Sequence, residues 1–201
     1  MAIPQKKPHV TVEEYLELER AAECKSEYFA GEIFAMAGGT PEHSWISANT
    51  IRELGNALEG RPCVAFDGNL RVEIPDTGLY TYPDISVVCG PMDRSPRGND
   101  MVTNPTVIVE VLSDSTEAYD RGGKFAHYRT LVSFREYVLI SQKEPLVEVF
   151  FRLPDGKWQL TPVSGGDSVV QLQSVGIALR LAKIYAGIEF PAPPPLKTLA
   201  S

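Results

Sequence analysis

Cysteine and long apolar runs are scarce in this 201-residue sequence. Its three cysteines, Cys24, Cys63 and Cys89, lie far apart without Cys-x-x-Cys spacing, so we expect neither a disulfide framework nor a zinc site, and a reducing compartment. No apolar run approaches the roughly 18 residues that span a bilayer. The first residues, MAIPQKKPHV, also lack the apolar core of a signal peptide. We therefore expect a cytoplasmic protein with no membrane partner.

Positive charge is in short supply, since 19 Lys and Arg face 26 Asp and Glu for a net charge of −7. This balance argues against a protein that coats nucleic acid, because non-specific duplex binding depends on many basic contacts to phosphate. The acidic excess lies wholly in residues 1–100. An acid-rich half is either a solvated surface or contains a carboxylate cluster that needs a cation.

The remaining composition, with 43% hydrophobic residues, is that of one globular domain. A chain of this length buries about 70% of its unfolded surface and needs no covalent staple. We find no internal repeat and no linker. The predicted organisation is an N-terminal arm over residues 1–10, one domain over 11–190, and a Pro-rich tail over 191–201.

Local signals in the first third predict a helix, a hairpin and a second helix. Thr11 and Glu14 form a capping-box pattern at the start of TVEEYLELERAAE. Alternating apolar residues around Gly31 predict a tight hairpin. Pro41 begins a longer apolar stripe that stops at Gly60.

Strand signals dominate the next part of the chain. Three β-branched segments are predicted as strands: VAFDGNLRVEI, YPDISVVCG and NPTVIVEVLS. The last is almost continuously apolar from Val107 to Leu112, which predicts a central strand covered on both faces. A helix over SDSTEAYDRGGKFAHYRTLVS, a strand at REYVLIS, a hairpin, and a short helix at 181–185 follow. The predicted fold class is α/β (α+β), a mixed sheet flanked by helices.

Asp84 and Glu110 each interrupt an otherwise apolar strand. A buried carboxylate costs several kcal/mol unless it is paired or binds a metal. Two carboxylates on neighbouring strands form a hard-oxygen site of the kind that Mg²⁺ or Mn²⁺ prefers. The pattern therefore predicts a compensating cation.

Several motifs carry a resemblance to a known family. They are residues 11–16, Glu27 and Gly31, Glu42-His43, residues 82–88, residues 109–113, Asp120, Lys124, Tyr128 and Glu136-Tyr137. In these segments the chain resembles the Uma2 (DUF820) family of endonucleases. The resemblance extends from about residue 10 to 185, is most specific between 110 and 128, and is weak after 145.

The resemblance implies the restriction endonuclease-like fold of the PD-(D/E)xK superfamily, with a metal-dependent phosphodiesterase site. It assigns Asp84 and Glu110 as metal ligands and Glu27 as the residue that completes the acidic cluster. The strand lysine of the superfamily, two residues after Glu110, is Leu112 here. Lys124 is the candidate replacement.

The implied activity is Mg²⁺- or Mn²⁺-dependent hydrolysis of DNA phosphodiester bonds. The nucleic acid is expected along a basic helix over residues 120–135. The residues expected to contact it are Arg121, Arg129 and Arg135, and the secondary site candidates are His43, Asp120 and Tyr128. A homodimer is expected by analogy, because cutting both strands of a duplex takes two sites.

Simpler interpretations of the same residues remain open. Glu27 could be a surface charge of the hairpin, Lys124 a solvated helix residue, and His43 a capping or packed histidine. The alternative function is a catalytically weak or inactive nuclease fold that binds nucleic acid or protein. A third alternative is a structural protein whose buried acids pair with Arg52 or Arg71.

Overall fold

The computed structural model describes residues 9–36 and 38–190, so the predicted tail and most of the arm lie outside the described residues. The helices are α1 (Val12–Ala21), α2 (Pro41–Ala57), α3 (Glu117–Tyr119), α4 (Phe125–Tyr128) and α5 (Leu181–Ile184), with a π-helical turn, Asp120–Lys124, between α3 and α4. None of the helices in the described part of the chain is long and apolar enough to cross a membrane.

Fourteen strands form the rest of the described regular structure. They are β1 (Ser26–Phe29), β2 (Glu32–Ala35), β3 (Cys63–Asp67), β4 (Arg71–Ile74), β5 (Leu79–Thr81), β6 (Ile85–Cys89), β7 (Arg94–Ser95), β8 (Gly98–Val102), β9 (Val107–Val111), β10 (Glu136–Ile140), β11 (Leu146–Arg152), β12 (Trp158–Ser164), β13 (Val169–Leu172) and β14 (Ile177–Arg180).

The strands make two six-stranded sheets and one hairpin. The first sheet has the order β2-β1-β5-β4-β8-β7 and the second the order β12-β11-β10-β9-β6-β3, while β13 and β14 pair separately. Both large sheets are mixed, since β4–β8 and β9–β10 are parallel and their other pairs are antiparallel. The predicted mixed α/β architecture is confirmed.

The N-terminal elements form where their local signals predict. The Thr11 side chain accepts from the Glu14 amide while the Glu14 carboxylate accepts from the Thr11 amide, which closes the capping box of α1. The β1–β2 turn has positive φ at both central residues, Ala30 (50°) and Gly31 (85°), as a two-residue hairpin of this twist requires. Pro41 begins α2 behind its capping Thr40.

The segment VAFDGNLRVEI is two strands rather than the predicted one. The Asp67 carboxylate accepts from the Asn69 amide at 3.0 Å and the Asp67 carbonyl accepts from the Leu70 amide at 3.2 Å, which closes a turn after β3. As a result, β3 joins the second sheet and β4 the first.

Strand β9 lies at the centre of the second sheet, as predicted, with both faces buried. Val107, Val109 and Val111 face an apolar cluster with α2 and α5. Ile108 faces the opposite cluster, which contains residues of α4 and the first sheet. Because side chains alternate along a strand, Glu110 projects to the same side as Ile108. The strand therefore carries a carboxylate into a protein interior.

The expectation of no disulfide is wrong, because Cys63 and Cys89 are bonded to each other. Antiparallel pairing of β3 with β6 makes these two residues direct register partners, although they are 26 residues apart. Cys24 is free and exposed. The linear spacing of the cysteines held no signal of this pairing.

Candidate active site

A cavity of about 630 Å³ is lined by residues of β1, β2, α2, β9, α3 and the π turn, with Asp84 just before β6. Its charged and titratable lining comes from elements that are distant in sequence. The members predicted from the sequence are Glu27, His43, Asp84, Glu110, Asp120 and Lys124. The structure therefore gathers the predicted catalytic residues and two secondary candidates around one space.

Backbone amides of β9 and of the residue before β6 hold the carboxylates of Asp84 and Glu110. The register pairs Ile85 with Val109, which places Asp84, just before β6, opposite Glu110 of β9. The Asp84 amide donates to Glu110 Oε2 at 3.1 Å, and the Val111 amide donates to Asp84 Oδ2 at 2.7 Å. Backbone groups at two strand ends thus fix both carboxylates.

Lys124 lies at the bottom of the cavity, with 7% of its side chain exposed. Its Nζ is 3.0 Å from Glu110 Oε1, 3.3 Å from Glu27 Oε1 and 3.7 Å from Asp120 Oδ1. Burial alone would lower the pKa of Lys124, but these three carboxylates overcome that effect and hold it well above its usual value. The side chain is therefore a fixed ammonium and not a solvated helix residue.

The π-helical turn supplies two of these charges. Asp120 and Lys124, at its ends, are both buried and both line the cavity. The Tyr137 hydroxyl donates to the Asp120 carbonyl at 3.0 Å and anchors the turn on β10. A π-helical turn in a helix is a frequent mark of a functional site. We predicted an ordinary helix here, and the adjacent Gly122 and Gly123 were the available signal of an irregularity.

Glu110 is buried, and its carboxylate has a third donor besides Lys124 and the Asp84 amide. The Tyr128 hydroxyl donates to Glu110 Oε1 at 3.0 Å. Burial raises the pKa of Glu110, the charges of Asp84 and Asp120 raise it further, and Lys124 opposes them. Negative charge is crowded around this carboxylate.

Glu27 and His43 complete opposite sides of the cluster. Glu27, on β1, accepts a hydrogen bond from the Thr81 hydroxyl on the same oxygen that contacts Lys124. His43, in the first turn of α2, has Nε2 3.1 Å from Asp84 Oδ2, and this hydrogen bond raises its pKa. Thr81 was not identified from the sequence, because nothing local distinguishes it from an ordinary strand threonine.

The three predicted DNA-contacting arginines do not line the cavity. Arg121 forms ion pairs with Glu117 at 2.9 Å and Glu148 at 2.5 Å. The Arg129 guanidinium lies over the Phe125 ring, 5.1 Å from its centre. The helix expected over residues 120–135 ends at Tyr128, Lys124 is buried among carboxylates, and Arg121 is paired with two of them. Contact of Arg121, Arg129 and Arg135 with nucleic acid stays a prediction.

Neither Arg52 nor Arg71 compensates the buried acids of the site. Arg52 contacts Glu53, and Arg71 hydrogen-bonds the Tyr82 hydroxyl with Glu19 and Asp100 nearby. The structural alternative that paired Asp84 and Glu110 with these arginines is wrong. Lys124 is the cationic neighbour of Glu110 instead, and His43 contacts Asp84.

The carboxylate oxygens of the site are of the ligand type that hard divalent cations prefer. Three carboxylates contact the Lys124 ammonium, and a fourth, that of Asp84, lies beside Glu110. Mg²⁺ usually takes one or two protein carboxylates with water in its other positions. Asp84 and Glu110 provide such a pair. Within residues 9–36 and 38–190, however, no group of three or more His, Cys, Asp or Glu side chains is placed to hold one ion. Because its Oε1 is taken by Lys124 and Thr81, Glu27 as a third ligand stays a prediction.

Comparison with known proteins places this site in a family context. The model of the Uma2 family, described as "Putative restriction endonuclease", matches residues 12–182. The Synechocystis sp. (strain ATCC 27184 / PCC 6803 / Kazusa) protein slr1290 is 38% identical over 91% of this chain and 95% of its own length. A second protein of that strain, sll1609, is 33% identical over 84% of this chain and 95% of its own length.

A solved structure shares the fold. The crystal structure titled "a putative nuclease belonging to DUF820 from Anabaena variabilis ATCC 29413" superposes with a TM-score of 0.71 at 22% identity, covering 88% of this chain and 97% of that chain. With the family model matching most of the domain, these findings identify the chain as a member of the Uma2 family.

Proposed function

We propose that the chain is an endonuclease that hydrolyses phosphodiester bonds of DNA with Mg²⁺ or Mn²⁺. The observation that carries the proposal is the Lys124 ammonium at 3.0 Å from Glu110, whose other oxygen meets the Asp84 amide, at the base of an accessible cavity. Carboxylates that can hold a metal ion and a fixed positive charge beside them are groups that stabilise the transition state of phosphoryl transfer. Family membership agrees with this class of reaction.

Asp84 and Glu110 are the residues that would hold the metal ion. When bound, the ion supplies a water of lowered pKa and positive charge that stabilises the transition state. The Val111 amide and the Tyr128 hydroxyl keep the two carboxylates in place. His43, hydrogen-bonded to Asp84, orients that carboxylate from the α2 side.

Lys124 takes the part of the strand lysine that is Leu112 here. Leu112 lines the cavity and packs in an apolar cluster, but its side chain has no charge to supply to the chemistry. Glu27 and Asp120 hold the ammonium of Lys124 in position beside Glu110. A fixed ammonium at this place would stabilise the charge that builds on the phosphate oxygens during attack.

The test is cleavage of supercoiled plasmid and of circular single-stranded DNA, with Mg²⁺ or Mn²⁺. We expect Asp84→Asn, Glu110→Gln and Lys124→Ala each to lose about 100-fold or more in rate, the scale of removing one group that stabilises charge. Asp76→Asn, at an exposed carboxylate outside the cavity, is the matched control.

Direct metal binding gives a second measurement that does not depend on turnover. Calorimetric titration with Mn²⁺ should show binding to the wild type and to Asp76→Asn and its loss in the Asp84 and Glu110 variants. Equal cleavage by all variants would identify a contaminating nuclease and refute the proposal.

The non-catalytic alternative rests on a specific observation, since Lys124 already contacts two of the three carboxylates that were expected at the metal. On that alternative, DNA binds but is not cut by the wild type with either metal.

A homodimer is also part of the proposal for cleavage of both strands, and light scattering at micromolar concentration tests it by measuring the molecular mass.

A further inference from the structure

Two exposed aromatic rings stand at the mouth of the cavity. Phe34 of β2 is 47% exposed and Tyr119 of α3 is 40% exposed, and both belong to the cavity lining. Large aromatic rings that are exposed and not packed in a hydrophobic core are more typical of binding surfaces than of structural positions.

Phe34 lies beside the Glu27 carboxylate. The two residues are register partners in the β1–β2 hairpin, so their side chains project from the same face with Cβ atoms about 4.5–5.5 Å apart. Phe29, two residues after Glu27, projects from the same face of β1, and its ring centre lies 4.6 Å from that of His127 in α4. This face of the hairpin is therefore directed towards α4. The phenyl ring therefore borders the site itself.

Tyr119 borders the same carboxylate from the other direction. It immediately precedes Asp120, and its ring packs over Gly123, where an added Cβ would come within 2.8 Å of it. Burial raises the pKa of Tyr119, and the negative charge of Glu27 raises it further because the two side chains lie close together. Two aromatic rings thus approach Glu27 from β2 and from α3.

The cations of the cavity lining, Lys124 and Lys143, are both engaged with carboxylates. Lys124 contacts three of them, and Lys143 pairs with Asp114 at 2.8 Å and Glu117 at 3.3 Å. Duplex DNA binds mainly through basic contacts to its phosphates. A single strand also offers unpaired base faces, which stack on aromatic rings whatever the base, whereas the bases of a duplex are stacked on one another.

We infer that Phe34 and Tyr119 form a stacking platform for unpaired bases, and that the preferred substrate of this site is single-stranded DNA. This inference rests on the proposed nuclease function and names its substrate class. The platform holds a nucleotide by its base while the adjacent phosphate enters the cavity towards Glu110 and Lys124.

The test is fluorescence anisotropy with a 5′-fluorescein 16-nucleotide DNA of mixed sequence and with the same strand in a duplex, both in EDTA so that no cleavage occurs. The wild type should bind the single strand at least 10-fold more tightly. Phe34→Ala and Tyr119→Ala should each weaken single-strand binding between about 5- and 150-fold, the range for one stacked base. Phe34→Trp should retain it.

Ile33→Ala is the matched control. Ile33 is the neighbouring exposed apolar residue of β2, projects from the opposite face and lies outside the cavity lining. Its replacement should leave single-strand affinity unchanged. All four variants alter exposed side chains, and circular dichroism melting checks that each is folded.

The outcomes separate this inference from the proposed function. Equal or tighter binding of the duplex, or unchanged single-strand affinity in both alanine variants, overturns the platform even if the wild type cuts DNA. Single-strand binding that is lost in Phe34→Ala, with no cleavage by the wild type in Mg²⁺ or Mn²⁺, supports the platform and refutes the nuclease.

Discussion

At the scale of single residues, Lys124 is the side chain that balances the negative charge of the site. Its ammonium is the close cationic neighbour of Glu110 and Glu27, both of which are largely buried. Removal of one partner of a buried charge cluster leaves the remaining charges uncompensated. The side chain therefore has a stabilising role as well as a proposed catalytic one.

We predict that Lys124→Met lowers the free energy of unfolding by about 3–5 kcal/mol, because it strands buried carboxylates. Urea denaturation followed by circular dichroism measures the change. Lys157→Met is the control, since Lys157 is 80% exposed and its pair with Asp155 should contribute less than about 1 kcal/mol. A similar loss in the two variants would contradict the structural role of Lys124.

A second residue, Glu136 of β10, lies outside the cavity lining and should make the stability of the fold depend on pH. Its carboxylate accepts from the Gln173 amide at 2.7 Å and the Ser174 amide at 3.1 Å, which holds the turn before β14. Burial raises the pKa of Glu136 above its ordinary value of 4.5, although these hydrogen bonds oppose the shift. The folded protein therefore binds this proton more tightly than the unfolded chain.

Linkage sets the sign of the effect, because the contribution of Glu136 to stability is full below pH 4.5 and is lost as the pH rises through its folded-state pKa. We predict that the wild type loses stability relative to Glu136→Gln between pH 4 and pH 7. Urea unfolding of both proteins across this range measures the difference. A difference that does not vary with pH would show that the folded-state pKa is not raised.

At the scale of elements, the π turn combines two residues of the cavity lining with a helix-breaking sequence. Gly122 and Gly123 both lie in it without a positive φ, so neither position requires glycine for its backbone conformation. The two differ in their surroundings. A Cβ on Gly122 would meet no atom within 4 Å, whereas one on Gly123 would meet the Tyr119 ring.

We predict that Gly122→Ala raises the free energy of unfolding by about 0.4–1 kcal/mol, because alanine restricts the unfolded chain and fits the helical backbone. Gly123→Ala should give less, since the Tyr119 ring must shift. Urea unfolding compares the pair. Equal stabilisation by both would indicate that Tyr119 does not pack on this turn.

At the scale of the whole molecule, the Cys63–Cys89 disulfide ties the edge strand β3 to β6, the strand that follows Asp84. A cross-link between residues 26 apart restricts the unfolded chain. The loop-entropy relation gives about 3.5 kcal/mol for a closed loop of this length. The bond therefore matters for stability without contacting the site.

We predict that Cys63→Ser with Cys89→Ser lowers the unfolding free energy by roughly 3 kcal/mol. Urea unfolding of the oxidised wild type, the reduced wild type and the double variant measures the loss, and mass spectrometry after alkylation reports the thiols. Cys24→Ser is the control, because Cys24 is free and exposed. Two alkylated thiols at 63 and 89 without reductant would contradict the bond.

Local features of the sequence were enough to predict several elements and to single out two of the acids that line the cavity. The capping box at Thr11, the proline that starts α2 and the apolar run of β9 act within a few residues, so their signals survive without the fold. Asp84 and Glu110 stood out because each interrupts such a run. The resemblance then added Glu27 and Lys124, which have no local distinction.

Only the tertiary structure decided which partners these residues meet. The pairing of Cys63 with Cys89, the neutralisation of Arg121 by Glu148 and the burial of Lys124 among acids all join positions that lie far apart in the chain. Sheet register and burial create such contacts, and both depend on long-range packing. The sequence by itself therefore determined the family and the ionisable groups, whereas the fold determined their charges, their neighbours and the cavity they share.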